Sequence, residues 1–309
     1  MAQRRPRTPP RSPARTGRSG GAAAEQAGSV AEDRRRSFGL AIEKAEGIVL
    51  RVRPQGETSK LVHLYSLQRG RLALIAKGAR LPKSKFGGAL DVCNRIAVVF
   101  YTKETRELNY LREAEILERF PRVQADIGRL AVAEQGFEIL LQLAMAGEPN
   151  ARLYQLVLDL LRGLNEAESG LRNMGRSFLL HFLESSGFRP NLDRCSVCGR
   201  SAVGDRATFE IDRGSYVCAE CPPAGKVSFP ALGRTVEWAR WLQRVPPSKA
   251  GVPAPQIVGQ ELDRWLWLHL SYHVEGADKL VTFRYAGRLA LREGELPENG
   301  DRNGKEARD

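Results

Sequence analysis

Residues 46–66 read EGIVLRVRPQGETSKLVHLYS, and the spacing of apolar side chains in this stretch decides the class of the N-terminal half. Leu50 and Val52 alternate with Arg51 and Arg53, the period-two signature of a strand with one wet face. Pro54 and Gly56 break the run, and SKLVHLYS opens a second strand. Working outward, GRLALIA at 70–76, NRIAVVFYT at 94–102 and RELNYLREAEIL at 106–117 continue the pattern. Five short strands in about 70 residues must curl or hide their edges, which predicts a small closed or partly open barrel. An OB-type barrel is the expected member of that class, and an SH3-like barrel fits the pattern almost as well.

After Phe120 and Pro121 the apolar period changes to 3.6. Leu130, Ala133, Phe137, Leu140, Leu141 and Ala144 make one helical stripe, and Leu153, Leu156, Val157, Leu160, Leu161 and Leu164 make another. Gly147, Pro149 and Asn150 separate them. A third helix is predicted over 171–185, stopped by Gly187 and Pro190. A cysteine-bearing insert, TVEWARWLQR, a Pro-rich connector at 245–255 and a last helix over about 259–273 follow. The expected fold class is α+β and multidomain. An OB-fold β-barrel at 45–120 leads into an α-helical bundle at 121–292, which carries a four-cysteine zinc-binding element at 194–226.

The ends of the sequence read differently. MAQRRPRTPPRSPARTGRSGG opens the chain without the apolar core of a secretory signal, and Pro6, Pro9, Pro10 and Pro13 oppose an amphipathic helix. A transit peptide is the minor alternative. Residues 1–44 are expected to be a disordered basic Arg/Pro-rich arm, and 293–309 a disordered acidic tail, since neither has much to bury. No stretch approaches the roughly 20 apolar residues of a membrane span, so a soluble, cytoplasmic chain is expected. Charge is partitioned accordingly. Of 48 Lys and Arg against 36 Asp and Glu, net +12, residues 1–37 hold +6, residues 46–115 hold +6 and residues 293–309 hold −3. A basic excess concentrated on one module favours a polyanionic partner.

Two motifs carry chemistry. Cys195, Cys198, Cys218 and Cys221 form a C-x2-C-x19-C-x2-C pattern, in which each tight turn presents two sulfurs to one ion. Four thiolates close a tetrahedral Zn²⁺ with no open position, so the expected site is structural. Disulfides or a redox pair are the alternative, weakened by the missing export signal and the missing thioredoxin-like βαβ. Arg194, Arg200, Arg206, Arg213 and Lys226 lie close enough in sequence to offset the formal −2. Cys93 is expected to be a small buried apolar residue. The second motif is RGRLALIAKGARLPKSKFGGAL at 69–90, where Arg69, Arg71, Lys77, Arg80, Lys83 and Lys85 occur with no acid between them. With Arg51, Arg53 and Lys60 they make a candidate phosphate-tracking groove, against the plainer reading of a solvated charged loop. Phe86, Tyr65, Tyr101 and Tyr110 are candidate base-stacking platforms, although core roles suit each of them.

Enzymatic signatures are missing. Residues 78–84 fall short of a phosphate-binding P-loop, because Pro82 stands where the second Gly should precede Lys83 and the spacing is one residue short. His269 and His273 sit at i, i+4 but lack the Glu of a zincin motif, and a core or interface role is expected. There is no nucleophile elbow and no dinucleotide fingerprint.

The order of basic barrel, helical bundle and late four-cysteine insert resembles the RecO family of bacterial recombination and repair mediators, over residues 45–285. The most specific pieces are residues 46–66, AKGARLPKSKFGGAL at 76–90 and GFRPNLDRCSVCG at 187–199, with a weaker match in LSYHVEGADKL at 270–280. The resemblance implies a non-enzymatic protein that binds single- and double-stranded DNA and anneals complementary strands. It also implies work with RecR and sometimes RecF, contact with the tail of single-strand DNA-binding protein, and indirect loading of RecA on gapped DNA. Carried over by position, Arg51, Arg53, Lys60, Arg69, Arg71, Lys77, Arg80, Lys83 and Lys85 become the DNA-facing candidates, and the four cysteines the zinc ligands. Some members of that family lack the cysteines, which implies an architectural metal. The N-terminal arm, the Pro-rich connector and the acidic tail depart from the family pattern. A zinc-ribbon regulator reading duplex sequence and an RNA-binding OB protein are the rival readings.

Overall fold

The computed structural model describes residues 40–103, 109–144 and 147–282. Most of the expected basic arm and all of the acidic tail lie outside these residues. Strand β1 (Leu40–Gln55) is longer than its sequence pattern suggested. Residues 40–44, expected in the arm, pair with the far end of β4 (Arg95–Lys103), from Leu40 opposite Lys103 to Lys44 opposite Val99. The cause is the length of β4, whose backbone groups at 99–103 need partners that only this extension supplies.

With β2 (Ser59–Ser66), β3 (Gly70–Ala76) and β5 (Asn109–Glu118), these strands close a barrel in the order β1-β2-β3-β5-β4. The β3–β5 pairing is parallel and the others are antiparallel. This is the five-stranded Greek-key barrel of the OB class. Its interior is filled by Val49, Val62, Leu64, Leu74, Ile96, Val98 and Phe100.

The alternation read at Leu50 and Val52 does not hold across the strand. Val49 pairs with Leu64 but Arg51 with His63, so Leu50 is an extra, bulged residue. Val52 turns toward the barrel interior, while Leu50 joins Ile48, Tyr65, Cys93 and Phe120 in the core of the helical unit. One strand thus supplies two cores.

Helix α1 (Pro121–Ala125) takes Pro121 in its first turn, where a missing N–H costs nothing. Helix α2 (Ile127–Leu143) is capped by the Asp126 carboxylate, which accepts from the Arg129 N–H at 2.8 Å, and α3 (Ala151–Glu166) by Asn150, which accepts from Leu153 at 3.0 Å. Helix α4 (Leu171–Ser185) starts after Gly170, whose φ of +68° brings its Cα against the backbone of Gly251. Helices α5 (Gly233–Arg244) and α6 (Gln256–His273) complete the bundle.

Between α4 and α5 lies the cysteine insert, which the sequence pattern did not resolve into strands. It contains β6 (Arg206–Glu210), β7 (Ser215–Cys218) and β8 (Ser228–Leu232), ordered β7-β6-β8. Phe209 of β6 stacks on Trp265 of α6, with centroids 4.4 Å apart, and fastens this sheet to the bundle. His269 and His273 serve the same junction, as their interface reading implied. Their Nε2 atoms bond the carbonyls of Phe188 and Ile211.

The barrel is fixed to the bundle by charge as well as by packing. Glu46 of β1 accepts from Arg95 and from the Tyr154 hydroxyl of α3, and Glu118 of β5 accepts from Arg95 and Arg162. These guanidiniums hold both carboxyls below the usual carboxylate range.

Candidate nucleic-acid interface and metal centre

Because Val52, Val62 and Leu74 pair across three strands and point inward, the residues that alternate with them point out. Arg51 faces out opposite His63, Arg53 opposite Leu61, and Arg71 opposite Tyr65. His63 lies at the centre of this surface. Burial first, and then Arg51, Arg53 and Arg71, push its imidazole below its ordinary value, so the ring is neutral at pH 7. The outer face of strands 1 to 3 therefore carries a cluster of cations close enough to act on a common ring. This is also the face on which OB barrels present oligonucleotide sites.

The nine basic candidates divide by position. Arg51 and Arg53 stand on the outer face, and Lys60 lies at the start of β2, opposite Ala76. Lys77 lies 4.5 Å from the centroid of the Tyr110 ring, a cation over an aromatic face. Arg80 donates to the Gly56 carbonyl at 2.9 Å, which folds the 77–85 loop against the β1–β2 turn. Lys83 is exposed. Lys85 is tied to the Arg112 carbonyl at 2.6 Å.

Arg71 and Arg69 are engaged away from the β1–β2 turn. Arg71 donates to the Leu141 carbonyl in the last turn of α2, a favourable place for a cation. Arg69 pairs with Glu43. Moreover β3 separates Arg69 from Lys77 by about 25 Å at the rise of an extended strand, so the run at 69–85 is not one patch. What gathers the cations is strand register: Arg51 and Arg53 belong with Lys60, Lys77, Arg80 and Lys83 around the β1–β2 turn. Of the stacking candidates, Tyr65 and Phe86 are core residues, and Tyr101 and Tyr110 are half-buried. His63 was missed because a single polar residue in a strand gives no sign of its neighbours across the sheet.

The second site forms where two turns converge. Cys195 and Cys198 lie on a turn closed by the Gly199 N–H on the Cys195 carbonyl, with Gly199 at φ +70°. Cys218 ends β7, and the Cys221 N–H folds back onto its carbonyl at 3.1 Å. All four cysteines are free thiols, and their sulfurs lie within 4.8 Å of one another. The Cys198 and Cys218 sulfurs are 3.7 Å apart, close to the edge of about 3.8 Å for a tetrahedron with metal–sulfur bonds near 2.3 Å.

The donor set fits a tetrahedral, thiolate-bound ion with no position left for a substrate. Arg200 donates to the Cys198 sulfur at 3.4 Å and holds that thiol down at about 6, which favours the ligating form. Glu210, fully buried, accepts from the Ala224 and Gly225 N–H groups and from the Ser196 and Ser215 hydroxyls, tying together the loops that carry the sulfurs. Arg200 is, among the described residues, the cation of this segment that bonds a sulfur. Arg194 and Arg213 bond carbonyls instead.

Comparison with known proteins bears on both halves. The family description "Recombination protein O N terminal" matches residues 40–120, and "Recombination protein O C terminal" matches 124–280. The DNA repair protein RecO of Rubrobacter xylanophilus is 31% identical over 244 residues, covering 79% of this chain and 96% of the relative. That of Pelotomaculum thermopropionicum is 34% identical over 245 residues, covering 79% and 94%. That of Syntrophobacter fumaroxidans is 33% identical over 180 residues, covering 58% and 71%. The barrel, the bundle and the cysteine insert fall within the matched spans, and the chain belongs to the RecO family.

Proposed function

We propose that this chain is a non-enzymatic DNA repair and recombination mediator, which binds single- and double-stranded DNA on the outer face of its barrel and anneals complementary strands. A role in DNA repair and recombination accords with its family. The observation that carries the finer reading is the strand register that sets Arg51 opposite His63 and Arg53 opposite Leu61 on the outer face, with Lys77, Arg80 and Lys83 beyond the adjoining turn. Two strands repel each other through their phosphates. A surface that neutralises both backbones lowers the cost of bringing bases into register. Sequence readout is unnecessary, since phosphate contacts position a strand without reading it.

The four-cysteine site would hold zinc, through Cys195, Cys198, Cys218 and Cys221, as a structural clip. In this reading the protein works in the cytoplasm, associated with the nucleoid. It acts with RecR and sometimes RecF, engages the tail of single-strand DNA-binding protein, and assists RecA loading on gapped DNA. No helix among the described residues is long and apolar enough to cross a membrane. The test is annealing of labelled complementary oligonucleotides coated with single-strand DNA-binding protein, with bound zinc measured on the same preparation. Acceleration supports the proposal; an unchanged annealing rate refutes it.

A further inference from the structure

We infer that the acidic stretch at 293–309 docks on the outer basic face of the barrel and competes there with DNA, an inference that rests on the reading of that face as the DNA interface. The argument begins at helix α2. Glu134, Glu138 and Leu141 stand at i, i+4 and i+7, one face of that helix. Arg51 acts on the Glu134 carboxylate, and Arg71 donates to the Leu141 carbonyl, so the two arginines border the ends of this stripe. Its middle member holds the chain's exit. The buried Glu138 carboxylate accepts from the Val281 and Thr282 N–H groups, each at 2.8 Å, and from the Thr282 hydroxyl. Successive turns of a helix are about 5.4 Å apart. The described structure therefore ends at Thr282 on the same face of α2 that Arg51 and Arg71 engage, one turn along the helix from Glu134.

The sequence beyond that point supplies the complement. Residues 283–292 carry three Arg and no acid, and residues 293–309 carry six acids against three bases. Ten intervening residues reach at most about 35 Å. The outer face from Arg51 to the β1–β2 turn at Gln55 is about 13 Å long, so the acidic stretch can lie along all of it. Glu57 in the β1–β2 turn and Glu134 of α2 are carboxylates that adjoin this face. Against Arg51, Arg53, Lys77, Arg80 and Lys83, with Lys60 at the adjoining end of the barrel, they leave the face net positive. A tethered segment is present at an effective concentration in the millimolar range, so a docking constant of about 0.1 mM already gives about tenfold competition.

The experiment compares the full chain with a full-length variant carrying E293Q, E295Q, E298Q, D301N, E306Q and D309N, titrated against a fluorescent single-stranded oligonucleotide at 0.1 M salt. The variant is expected to bind about tenfold tighter, with the difference vanishing near 0.5 M salt as screening removes the docking. Equal affinity at 0.1 M overturns the inference. If neither protein binds DNA, the proposed function fails instead, and zero-length carbodiimide cross-linking of the parent chain decides the docking alone. Cross-links from carboxylates of 293–309 to Lys60, Lys77 or Lys83 support it. Cross-links to Lys226 or Lys249 only, or none, overturn it. Capture by residues 1–39, whose positive side chains are all arginine, would tighten DNA binding in the variant but leave the barrel lysines unlinked, and would also overturn the proposed site.

Discussion

Neutralising Arg51 and Arg53 together tests the interface most directly. Of the nine basic candidates, Arg69, Arg71 and Lys85 are engaged by Glu43 and by the Leu141 and Arg112 carbonyls. Arg51, Arg53, Lys60, Lys77 and Lys83 remain, with Arg80, which commits one guanidinium nitrogen to the Gly56 carbonyl and keeps its other nitrogens. Six phosphate contacts give a slope of log K against log salt of about −4 on single-stranded DNA, at about 0.7 per contact. R51Q/R53Q should bring it to about −3. At 0.1 M salt each lost contact is worth about a factor of 5, so affinity should fall by about 25-fold. The assay is fluorescence anisotropy of a labelled oligonucleotide across a salt series, with thermal melting to show that the variant is folded. R69Q, paired with Glu43 away from the β1–β2 turn, is the control and should leave the slope unchanged. A slope for R51Q/R53Q equal to that of the parent, or an equal drop in R69Q, would refute the assignment of the outer face.

Other perturbations address the scaffold. His269 is 1% exposed, and burial pushes its imidazole down to about 4. The unfolded chain, with a value near 6.5, therefore takes the proton first. The stability present above about pH 6.5 should fall by about 3 kcal/mol as pH drops toward 4, and urea titrations of H269Q should show a flatter pH dependence than the parent. G170A should destabilise by at least about 2 kcal/mol, because Gly170 has φ +68° and a Cβ there would meet the Gly251 carbonyl carbon at 2.2 Å; a melting temperature matching the parent's would count against the close approach. Chelation, or C218A, should loosen the sheet of β6, β7 and β8 without unfolding the barrel, read as loss of amide protection confined to residues 194–232. Y154F should cost about 1–2 kcal/mol by removing a hydrogen bond to the Glu46 carboxylate, measured by denaturant unfolding.

Much of this fold was legible because its signals are local. The strands of the barrel, the stripes of α2 to α4 and the paired cysteines each lie within a few residues of sequence, where period and spacing report directly on geometry. Legibility failed where the deciding partner was distant. The alternation of Leu50 and Val52 gave no sign of the bulge, which exists because the helical bundle, some 80 residues further on, draws Leu50 into its core. The run at 69–85 looked continuous because sequence proximity is not proximity along a strand. β3 carries Arg69 away from Lys77, while pairing with β1 and β2 brings Arg51 and Arg53 into their place. The strands of the cysteine insert were hidden for a related reason. β6, β7 and β8 are four or five residues each, too short to show a period, and they are held by Phe209 on Trp265 and by Glu210.

The bulge at Leu50 also sets how the molecule bears load. Deleting that residue would restore strict alternation with Val49 still turned into the barrel and Ile48 still toward the helices, and would take the Leu50 side chain out of the helical core. The barrel and the bundle share this strand, and neither can be excised without exposing Ile48, Leu50 and Tyr65 or emptying the pocket they fill. Arg51 and Arg53 follow the bulge directly in the same strand. Under the proposed function, a pull on DNA held by them would pass into the helical core along covalent backbone, with no linker between the two to absorb it.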